Sequence, residues 1–316
     1  MNFIRDNTIL EKVLVIDGLS GCGKVVIDNF LSLYPKIEIL NLSPSFENTT
    51  IFNYFDKFSD DAFDNYIKIL LDYTIYENTI SRNVNFKPFD QSSVFKSYKL
   101  IEYVKRLFKS DTIHIPNLIK KEKPFLRIMT ASILGESQKL FEILKDKLFF
   151  IEVVRNPYLI VKANMNFINN FEKGDGRYFN PTIINKNIIT PYWAFDIADN
   201  YNEMSIADKA IYLIMYKTKL NNKFLSNKKD YQKHLRIYFD DFIKNPSISL
   251  TRINNFLNIK YKFNNKLYKK YKLPRDDDFN DSKKNDIINY LKESNVKSEY
   301  LNILENLSID FINNKK

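Results

Sequence analysis

The sequence predicts a three-layer α/β fold in which helices flank a central parallel sheet. Short apolar runs, typical of buried strands, alternate along the 316-residue chain with longer segments whose apolar residues recur every three or four positions, as they do in helices. This alternation is typical of a parallel sheet. The predicted strands are 12–16, 36–42, 124–130, 148–154 and 235–239.

Helices are predicted between these strands and after the last one. They cover 25–33, 60–80, 93–109, 136–145, 158–169 and 206–225, and two closing helices lie within 281–313. The segment 171–191 is predicted to be a long loop, and loops of this length often cover a site. Because no repeat or low-complexity linker divides the chain, residues 1–316 are predicted to form a single domain, with an insertion around 45–120.

Composition limits the classes of protein to which the chain can belong. The formal net charge is +10, which suits an anionic substrate, nucleic acid or a membrane face, but the basic residues are scattered, as on a lysine-rich solvated surface. No nucleic-acid-binding motif accompanies the charge. The single cysteine excludes an internal disulfide, and no stretch is apolar enough to predict a signal peptide or a membrane span. These features predict a cytoplasmic protein.

A glycine-rich turn follows the first predicted strand. Three of the six glycines fall within residues 18–23, so a glycine-poor chain concentrates half its supply in one turn. A strand, a glycine turn and a helix in succession aim free backbone N–H groups at a phosphate. The spacing fits G-x-x-x-x-G-K, but Val25 stands where a Ser or Thr hydroxyl would hold Mg²⁺. The 18–24 turn therefore predicts a phosphate site that differs from that of an ordinary ATPase.

A second candidate anion ligand, Arg155, stands at the carboxyl end of the predicted strand 148–154. Pro157 follows at the first position of the next helix, where proline is preferred. Open α/β sheets bind ligands at the carboxyl ends of their strands, and a guanidinium can bind a phosphate through two nitrogens. An ion pair at the end of the strand is the alternative interpretation of Arg155.

These two motifs together resemble those of the sulfotransferases that use 3′-phosphoadenosine-5′-phosphosulfate (PAPS). In that family a turn after the first strand binds the 5′-phosphosulfate, and an Arg-Asn-Pro-like segment after a later strand binds the 3′-phosphate. The 18–24 turn with Leu31-Ser32-Leu33-Tyr34-Pro35 is similar to the first motif, and Val153-Val154-Arg155-Asn156-Pro157 is similar to the second. The segment 235–246, with 253–257, is similar to the family's strand, acidic turn, Asn-Pro pair and helix. The resemblance covers roughly residues 12–310.

The resemblance implies a P-loop NTPase-like sulfotransferase architecture and transfer of a sulfuryl group from PAPS to a hydroxyl or amine acceptor, such as that of a saccharide. It implies that PAPS is the donor co-substrate, that no metal is required, and that the 45–120 insertion lies on the acceptor side. The implied donor-binding residues are Gly18, Ser20, Gly21, Cys22, Gly23, Lys24, Val25, Arg155 and Asn164.

The chain departs from the family pattern in its binding positions. Gly21 stands where the family usually has Lys or Arg, and Lys24, which stands where Thr is usual, would replace the lost cation. Ala163 stands near the position of a phosphate-binding Ser, and the adjacent Asn164 could donate to the phosphate instead.

The family's catalytic His after the third strand is also absent, because that region reads Met129-Thr130-Ala131-Ser132. Glu47, after the second strand, lies at a place comparable to that of a Glu in other members. We therefore expect Glu47 to be the general base and Lys24 to stabilise the charge on the bridging oxygen. The alternatives are that Glu47 is an exposed loop carboxylate and that His114, in an apolar setting typical of a packed histidine, is the base.

Two other functions stay open at this stage. Lys24, with Asp240 after the strand 235–239 as a Walker-B acid would be, favours a Mg²⁺-dependent P-loop kinase, which Val25 and the Arg155 motif oppose. The missing His and the departures at Gly21 and Ala163 favour a catalytically degenerate binding protein. No pattern in the sequence identifies the acceptor or the oligomeric state.

Overall fold

The structure is a computed structural model that describes residues 3–109, 114–175, 178–185, 187–227, 233–261 and 279–315. Its strands are β1 (Lys12–Asp17), β2 (Ile37–Leu42), β3 (Phe125–Met129), β4 (Leu148–Val154), β5 (Thr182–Asn185), β6 (Ile188–Pro191) and β7 (His234–Tyr238). Five of them form one parallel sheet in the order β2-β3-β1-β4-β7, and β5 and β6 form an antiparallel hairpin. The predicted parallel sheet and its five strands are confirmed.

The central strand β1 is buried on both faces. Val13, Leu14, Val15 and Ile16 are all inaccessible to solvent, since β1 pairs with β3 on one side and β4 on the other. A strand covered on both faces needs a continuous apolar run rather than an alternating one. Because β1 crosses the core and ends at Asp17, the 18–24 turn that follows it lies at the carboxyl edge of the sheet.

Helices flank the sheet. They are α1 (Lys24–Leu31), α2 (Pro44–Tyr54), α3 (Asp60–Thr79), α4 (Leu100–Arg106), α5 (Ile115–Glu122), α6 (Gln138–Leu144), α7 (Pro157–Glu172), α8 (Ala198–Tyr201), α9 (Ile206–Ser226), α10 (Phe239–Lys244), α11 (Pro246–Leu257), α12 (Asp281–Glu293) and α13 (Ser298–Lys315). Within the described ranges, no helix combines the length and the apolar character that crossing a membrane requires.

Two predicted segments differ from the structure. The predicted helix 93–109 is a 3₁₀ turn followed by the short α4, because the hydroxyls of Ser93 and Ser97 accept hydrogen bonds from the N–H groups of Phe95 and Lys99 and so compete with helical pairing. The predicted loop 171–191 contains the end of α7 and the β5–β6 hairpin, and its residues 176, 177 and 186 lie outside the described part.

A buried charge anchors the 45–120 insertion to the edge strand β2. Glu38 is 2% exposed and accepts hydrogen bonds from Lys99 Nζ at 2.6 Å, from Arg106 Nη1 at 3.2 Å and from the Tyr103 hydroxyl. Burial tends to raise the pKa of Glu38, but the two cations outweigh it and hold that pKa below its ordinary value. The ionised carboxylate thus ties α4 to the sheet.

Candidate active site

The predicted site residues lie at the carboxyl edge of the sheet. Lys24 follows β1, Glu47 follows β2 and Arg155 follows β4, and Thr130 and Ala131 follow β3. Because the strands are parallel, these ends meet at one edge, which is where open α/β sheets bind ligands. The turn after β1 occupies the middle of this edge.

The 18–24 turn needs glycine at two of its positions for close packing. A Cβ on Gly18 would lie 2.4 Å from the carbonyl oxygen of Val153, and one on Gly23 would lie 2.2 Å from the ring of Phe239. Both residues also have positive φ angles, 148° and 95°. The turn is therefore held between the end of β4 and the start of α10, with no room for a side chain at either glycine.

The amino end of α1 is open to an anion. Gly23 is its N-cap, no side chain caps the helix, and its first turn has no acidic residue. The first N–H groups of a helix have no partners within the helix, and together with the helix dipole they favour a negative charge. Val25, in the same first turn, is 41% exposed and has no side-chain oxygen to offer a metal ion.

Lys24 links this turn to the end of β3. Its Nζ donates to the carbonyl oxygen of Thr130 at 2.7 Å and to that of Gly18. The ammonium therefore lies within the turn, between β1 and β3, on the side that faces Glu47.

Glu47 lies in the first turn of α2, not in a loop as one alternative held. The helix starts at Pro44 with Ser43 as its cap, whose hydroxyl accepts from the Phe46 N–H at 3.2 Å. Glu47 Oε2 accepts a hydrogen bond from the N–H of Ala131 at 3.1 Å. Burial raises the pKa of this half-buried carboxyl from 4.5 to about 7, against the opposing effect of the Lys24 ammonium. A carboxyl with such a pKa can accept a proton near neutral pH.

Lys24 and Glu47 line the same open cleft, which has a volume of about 220 Å³. Three residues of the predicted covering segment 171–191 also line it, namely Tyr178, Phe179 and Asn180. Asn48 holds that segment through a 2.7 Å hydrogen bond from its Nδ2 to the Phe179 carbonyl oxygen. The remaining lining residues are Leu42, Ser43, Pro44, Asn48, Met129, Thr130 and Ala131.

Arg155 lines a second cavity, on the other side of the turn. Gly18, Leu19 and Cys22 also face this cavity, which has a volume of about 80 Å³. The Arg155 guanidinium lies 5.2 Å from the centre of the Phe239 ring, and its Nε is 3.4 Å from Asp240 Oδ1. Arg155 and Lys24 thus follow neighbouring strands at the same edge but face two cavities that the turn separates.

Helix α13 forms one wall of this second cavity through Leu307, Asp310, Phe311 and Asn314. The helix is fastened to the strand ends by hydrogen bonds from the Tyr238 hydroxyl to the Asn314 carbonyl oxygen at 2.8 Å and from Asn156 Nδ2 to Ser308 Oγ at 3.0 Å. The last described residues therefore complete a cavity that begins at Gly18.

Two predicted donor-binding residues support the turn from behind. Asn164, 1% exposed, donates from Nδ2 to the carbonyl oxygens of Ser20 at 3.1 Å and Ile160 at 2.8 Å, and it lines neither cavity. Cys22 is 1% exposed, and burial raises the pKa of its thiol, which makes it a packing residue rather than a nucleophile.

His114, the alternative base, is exposed at the start of α5 and does not line the Lys24–Glu47 cleft. The expectation of a packed histidine was wrong, because His114 is exposed to solvent. His234 is a structural residue whose Nε2 lies 3.3 Å from Glu152 Oε2.

Sequence reasoning missed Asp17, the last residue of β1. Its carboxylate is inaccessible to solvent and accepts hydrogen bonds from Thr130 Oγ1 at 2.7 Å and from the N–H groups of Ser132, Ile133 and Leu134 at 2.6, 3.1 and 3.0 Å. A signal was present: a charged residue that closes a fully apolar strand must find buried partners.

No protein-family model matches the chain, and no curated protein matches it in sequence. Solved sulfotransferase structures do match. The sulfotransferase domain of an olefin synthase from Synechococcus aligns with a TM-score of 0.48 and 14% identity, over 99% of this chain and 98% of that one. A sulfotransferase from Mycobacterium tuberculosis aligns with a TM-score of 0.44 and 10% identity, over 95% and 76%.

The sulfotransferase domain from the curacin biosynthetic pathway aligns with a TM-score of 0.43 and 14% identity, over 80% of this chain and 76% of that one. The chain is thus similar in fold to solved sulfotransferases, with a central parallel sheet flanked by helices.

Proposed function

We propose that this chain transfers a sulfuryl group from PAPS to a hydroxyl or amine acceptor in the Lys24–Glu47 cleft. One observation carries the proposal: a half-buried carboxyl with a pKa of about 7 shares a cleft with a lysine at the uncapped amino end of a helix. The carboxylate supplies a base for the acceptor, and the lysine with the helix N–H groups supplies positive charge for the leaving phosphate.

The two cavities suit a donor that lies across the turn. In this proposal the N–H groups at the start of α1 bind the 5′-phosphosulfate, and Arg155 binds the 3′-phosphate from the second cavity. Arg155 would then exchange its contact with Asp240 for the phosphate, which offers a stronger bidentate acceptor. The location of Gly18 and Leu19 in the second cavity and of Lys24 in the cleft supports this orientation.

The residues of the cleft then have distinct roles. Glu47 accepts the proton of the acceptor hydroxyl as its oxygen bonds to sulfur. Lys24 stabilises the negative charge that develops on the bridging oxygen as the bond from that oxygen to sulfur breaks, and 3′-phosphoadenosine-5′-phosphate leaves. Charge stabilisation by fixed groups of this kind is worth several kcal/mol, about 2.7–4 for one donor in a well-studied case. Val25 offers no hydroxyl for Mg²⁺, and these roles need none.

A P-loop kinase fits the geometry less well. Asp240, the candidate Walker-B acid, follows the edge strand β7 and pairs with Arg155 rather than facing the Lys24 cleft. The acid nearest the turn, Asp17, already accepts four hydrogen bonds. We also propose a cytoplasmic location, with which the buried, unpaired Cys22 is compatible.

The test has a binding arm and a transfer arm. Calorimetric titration should show that 3′-phosphoadenosine-5′-phosphate binds more tightly than ADP. The affinity for ATP should be the same with and without Mg²⁺. Incubation with PAPS and a panel of alcohols, phenols, saccharides and amines, followed by mass spectrometry, should yield a sulfated product. Equal affinity for the two nucleotides contradicts the proposed donor, and Mg²⁺-dependent phosphoryl transfer would favour the kinase.

A matched pair of variants assigns the base. Glu47→Gln should lose most transfer, about 10²–10⁴-fold, while nucleotide affinity stays the same. Glu203→Gln removes an exposed carboxyl that lies in neither cavity and should change neither quantity. Full activity of Glu47→Gln would exclude Glu47 as the base. Tight nucleotide binding without transfer to any acceptor would identify a degenerate binding protein.

A further inference from the structure

We propose that Asp17 is a positioning residue of this site, whose buried carboxylate fixes the loop 130–134 so that this loop holds both Lys24 and Glu47. The inference rests on the proposed function, in which Lys24 and Glu47 carry the reaction. Asp17 itself contacts neither cavity.

The first step is the hold of Asp17 on the loop. Oδ1 accepts hydrogen bonds from Thr130 Oγ1 and from the N–H groups of Ser132 and Ile133, and Oδ2 accepts one from the N–H of Leu134. One side chain thus accepts from four residues of a five-residue segment. With no exposed surface, this carboxylate depends entirely on these donors for the hydrogen bonds that water would otherwise supply.

The same loop also binds the two side chains of the cleft through its backbone. The Thr130 carbonyl oxygen accepts from Lys24 Nζ at 2.7 Å, and the Ala131 N–H donates to Glu47 Oε2 at 3.1 Å. Thr130 N–H pairs with the Ile16 carbonyl oxygen, so Ala131 has the one N–H between residues 130 and 134 that leaves the sheet and Asp17 to reach the cleft. Asp17 therefore connects to both reactive side chains through one layer of hydrogen bonds.

One residue of the loop, Ser132, has an unfavourable backbone conformation that its surroundings must stabilise. Ser132 has a φ of 64°, a left-handed conformation that is unfavourable for a residue with a Cβ. Its N–H makes the 2.6 Å bond to Asp17. Strained residues of this kind persist where the surroundings over-determine them, and they cluster at functional sites.

Charge supports the same role. Beside the dominant effect of burial, the Asp17 carboxylate raises the pKa of Glu47, whereas Lys24, Lys217 and the Ala131 N–H lower it. Asp17 thus affects Glu47 both by placing a donor on it and by making its proton harder to lose.

The experiment compares Asp17→Asn with Asp72→Asn. Asp72 is a close structural match: it is 3% exposed and accepts four hydrogen bonds, two from Arg5 and one each from the N–H groups of Ile9 and Leu10, but it lies outside both cavities. Asparagine keeps the shape of aspartate but replaces one acceptor oxygen with a donor. Each variant alters a buried carboxylate that accepts four hydrogen bonds, but only Asp17→Asn alters the hydrogen bonds of the loop 130–134.

Three readouts follow. Amide hydrogen exchange at residues 132–134 should accelerate at least ~10-fold in Asp17→Asn and stay unchanged in Asp72→Asn, since local opening sets the exchange rate. Carbon NMR titration of the Glu47 carboxyl, assigned with Glu47→Gln, should give a higher pKa in Thr130→Val, because that variant loosens the Ala131 donor while the Asp17 charge stays. Transfer should fall about 10²-fold in kcat, the effect of a misplaced reactive group, at unchanged nucleotide affinity.

Equal exchange at residues 132–134 in both variants, or full transfer by Asp17→Asn, overturns the inference. If Asp17→Asn does not fold, Thr130→Val removes a single donor to Asp17 and should shift exchange and the Glu47 titration in a measurable way; no change in either also overturns it. Should the wild-type chain transfer no sulfuryl group, the proposed function fails, while exchange and the Glu47 titration still decide whether Asp17 positions the loop.

Discussion

A Cβ atom on Gly21 would lie 2.7 Å from the Cβ of Ala163, which is closer than unstrained side chains approach. These are two positions at which the chain departs from the sulfotransferase pattern, and the structure brings them into contact between the 18–24 turn and α7. A lysine or arginine at position 21 would need space that α7 occupies. The two positions are therefore coupled by packing, and Asn164, beside Ala163, adds a hydrogen bond from α7 to the Ser20 carbonyl oxygen.

The first prediction concerns this contact. Gly21→Ala should destabilise the fold by about 2–4 kcal/mol, because it adds a Cβ at a φ of 81° and overpacks the contact with Ala163. Urea unfolding of Gly21→Ala, Ala163→Gly and the double variant forms a cycle. We expect Ala163→Gly to recover the packing part of the loss but not the backbone part. Effects that add within about 0.5 kcal/mol would show that the two sites are independent.

The second prediction concerns Asp240, which pairs with Arg155 at 3.4 Å and so competes with any phosphate there. Asp240→Asn should strengthen binding of 3′-phosphoadenosine-5′-phosphate, and Arg155→Ala should weaken it by about 1.5–3 kcal/mol, the usual worth of a hydrogen bond to a charged group. ADP, which lacks the 3′-phosphate, should respond to neither change. Calorimetry with both nucleotides checks this, and parallel losses for both would place the 3′-phosphate elsewhere.

The third prediction concerns pH. Burial raises the pKa of Glu47 from 4.5 to about 7, so the folded state holds this proton more tightly than the unfolded chain. The resulting stabilisation is present below pH 4.5 and is lost as pH rises to about 7; its upper bound is about 3 kcal/mol, reduced by solvent screening. Glu47→Gln should therefore stabilise the protein at pH 8 but not at pH 4.

Urea unfolding at both pH values checks this, with Glu203→Gln as the control for loss of a charge. The rate of transfer should have the opposite trend, falling as pH drops through about 7, because only the deprotonated carboxyl accepts a proton. A stability gain from Glu47→Gln that is the same at pH 4 and pH 8 would contradict the raised pKa.

The fourth prediction concerns the buried ion pair between Glu136 and Lys217, which are 0% and 2% exposed at their side chains. Lys217→Met should cost about 3–5 kcal/mol, since it leaves the Glu136 charge buried and unpaired. The double variant Glu136→Leu with Lys217→Met should recover most of that loss. Because Lys217 lowers the pKa of Glu47, Lys217→Met should also move the acidic limb of the transfer rate to higher pH. A double variant no more stable than Lys217→Met would contradict the pairing argument.

Sequence reasoning predicted the sheet well because each strand is a short apolar run bounded by turn residues, and it placed the 18–24 turn, Glu47 and Arg155 at one edge because the strands are parallel. It missed α2, although Ser43-Pro44 is a helix-start signal, and so left open the alternative that Glu47 is a loop carboxylate. It also took the β-branched runs of β5 and β6 for loop. In both cases a signal for a helix or a strand lies among polar residues that are typical of loops.

For other features, no local signal identifies the partner residue. The contact of Gly21 with Ala163, the use of Asn164 on a backbone carbonyl and the bonds from residues 130–134 to Asp17 all join positions distant in the sequence. Such pairings depend on the packing of α7 and the β3 end against the turn, which a motif does not specify. The separation of Arg155 and Lys24 into two cavities is of the same kind.

The second cavity is lined both by the turn after β1 and by α13, so a ligand in it contacts two elements that are distant in sequence. Gly18 and Asn314 both line this cavity, so a nucleotide bound there would contact both the end of β1 and α13. By mass action, a ligand at 100 times its dissociation constant adds about 2.7 kcal/mol to the stability of the folded chain. A thermal-shift screen of nucleotides would therefore report on the packing of α13 against the strand ends as well as on the phosphate turn.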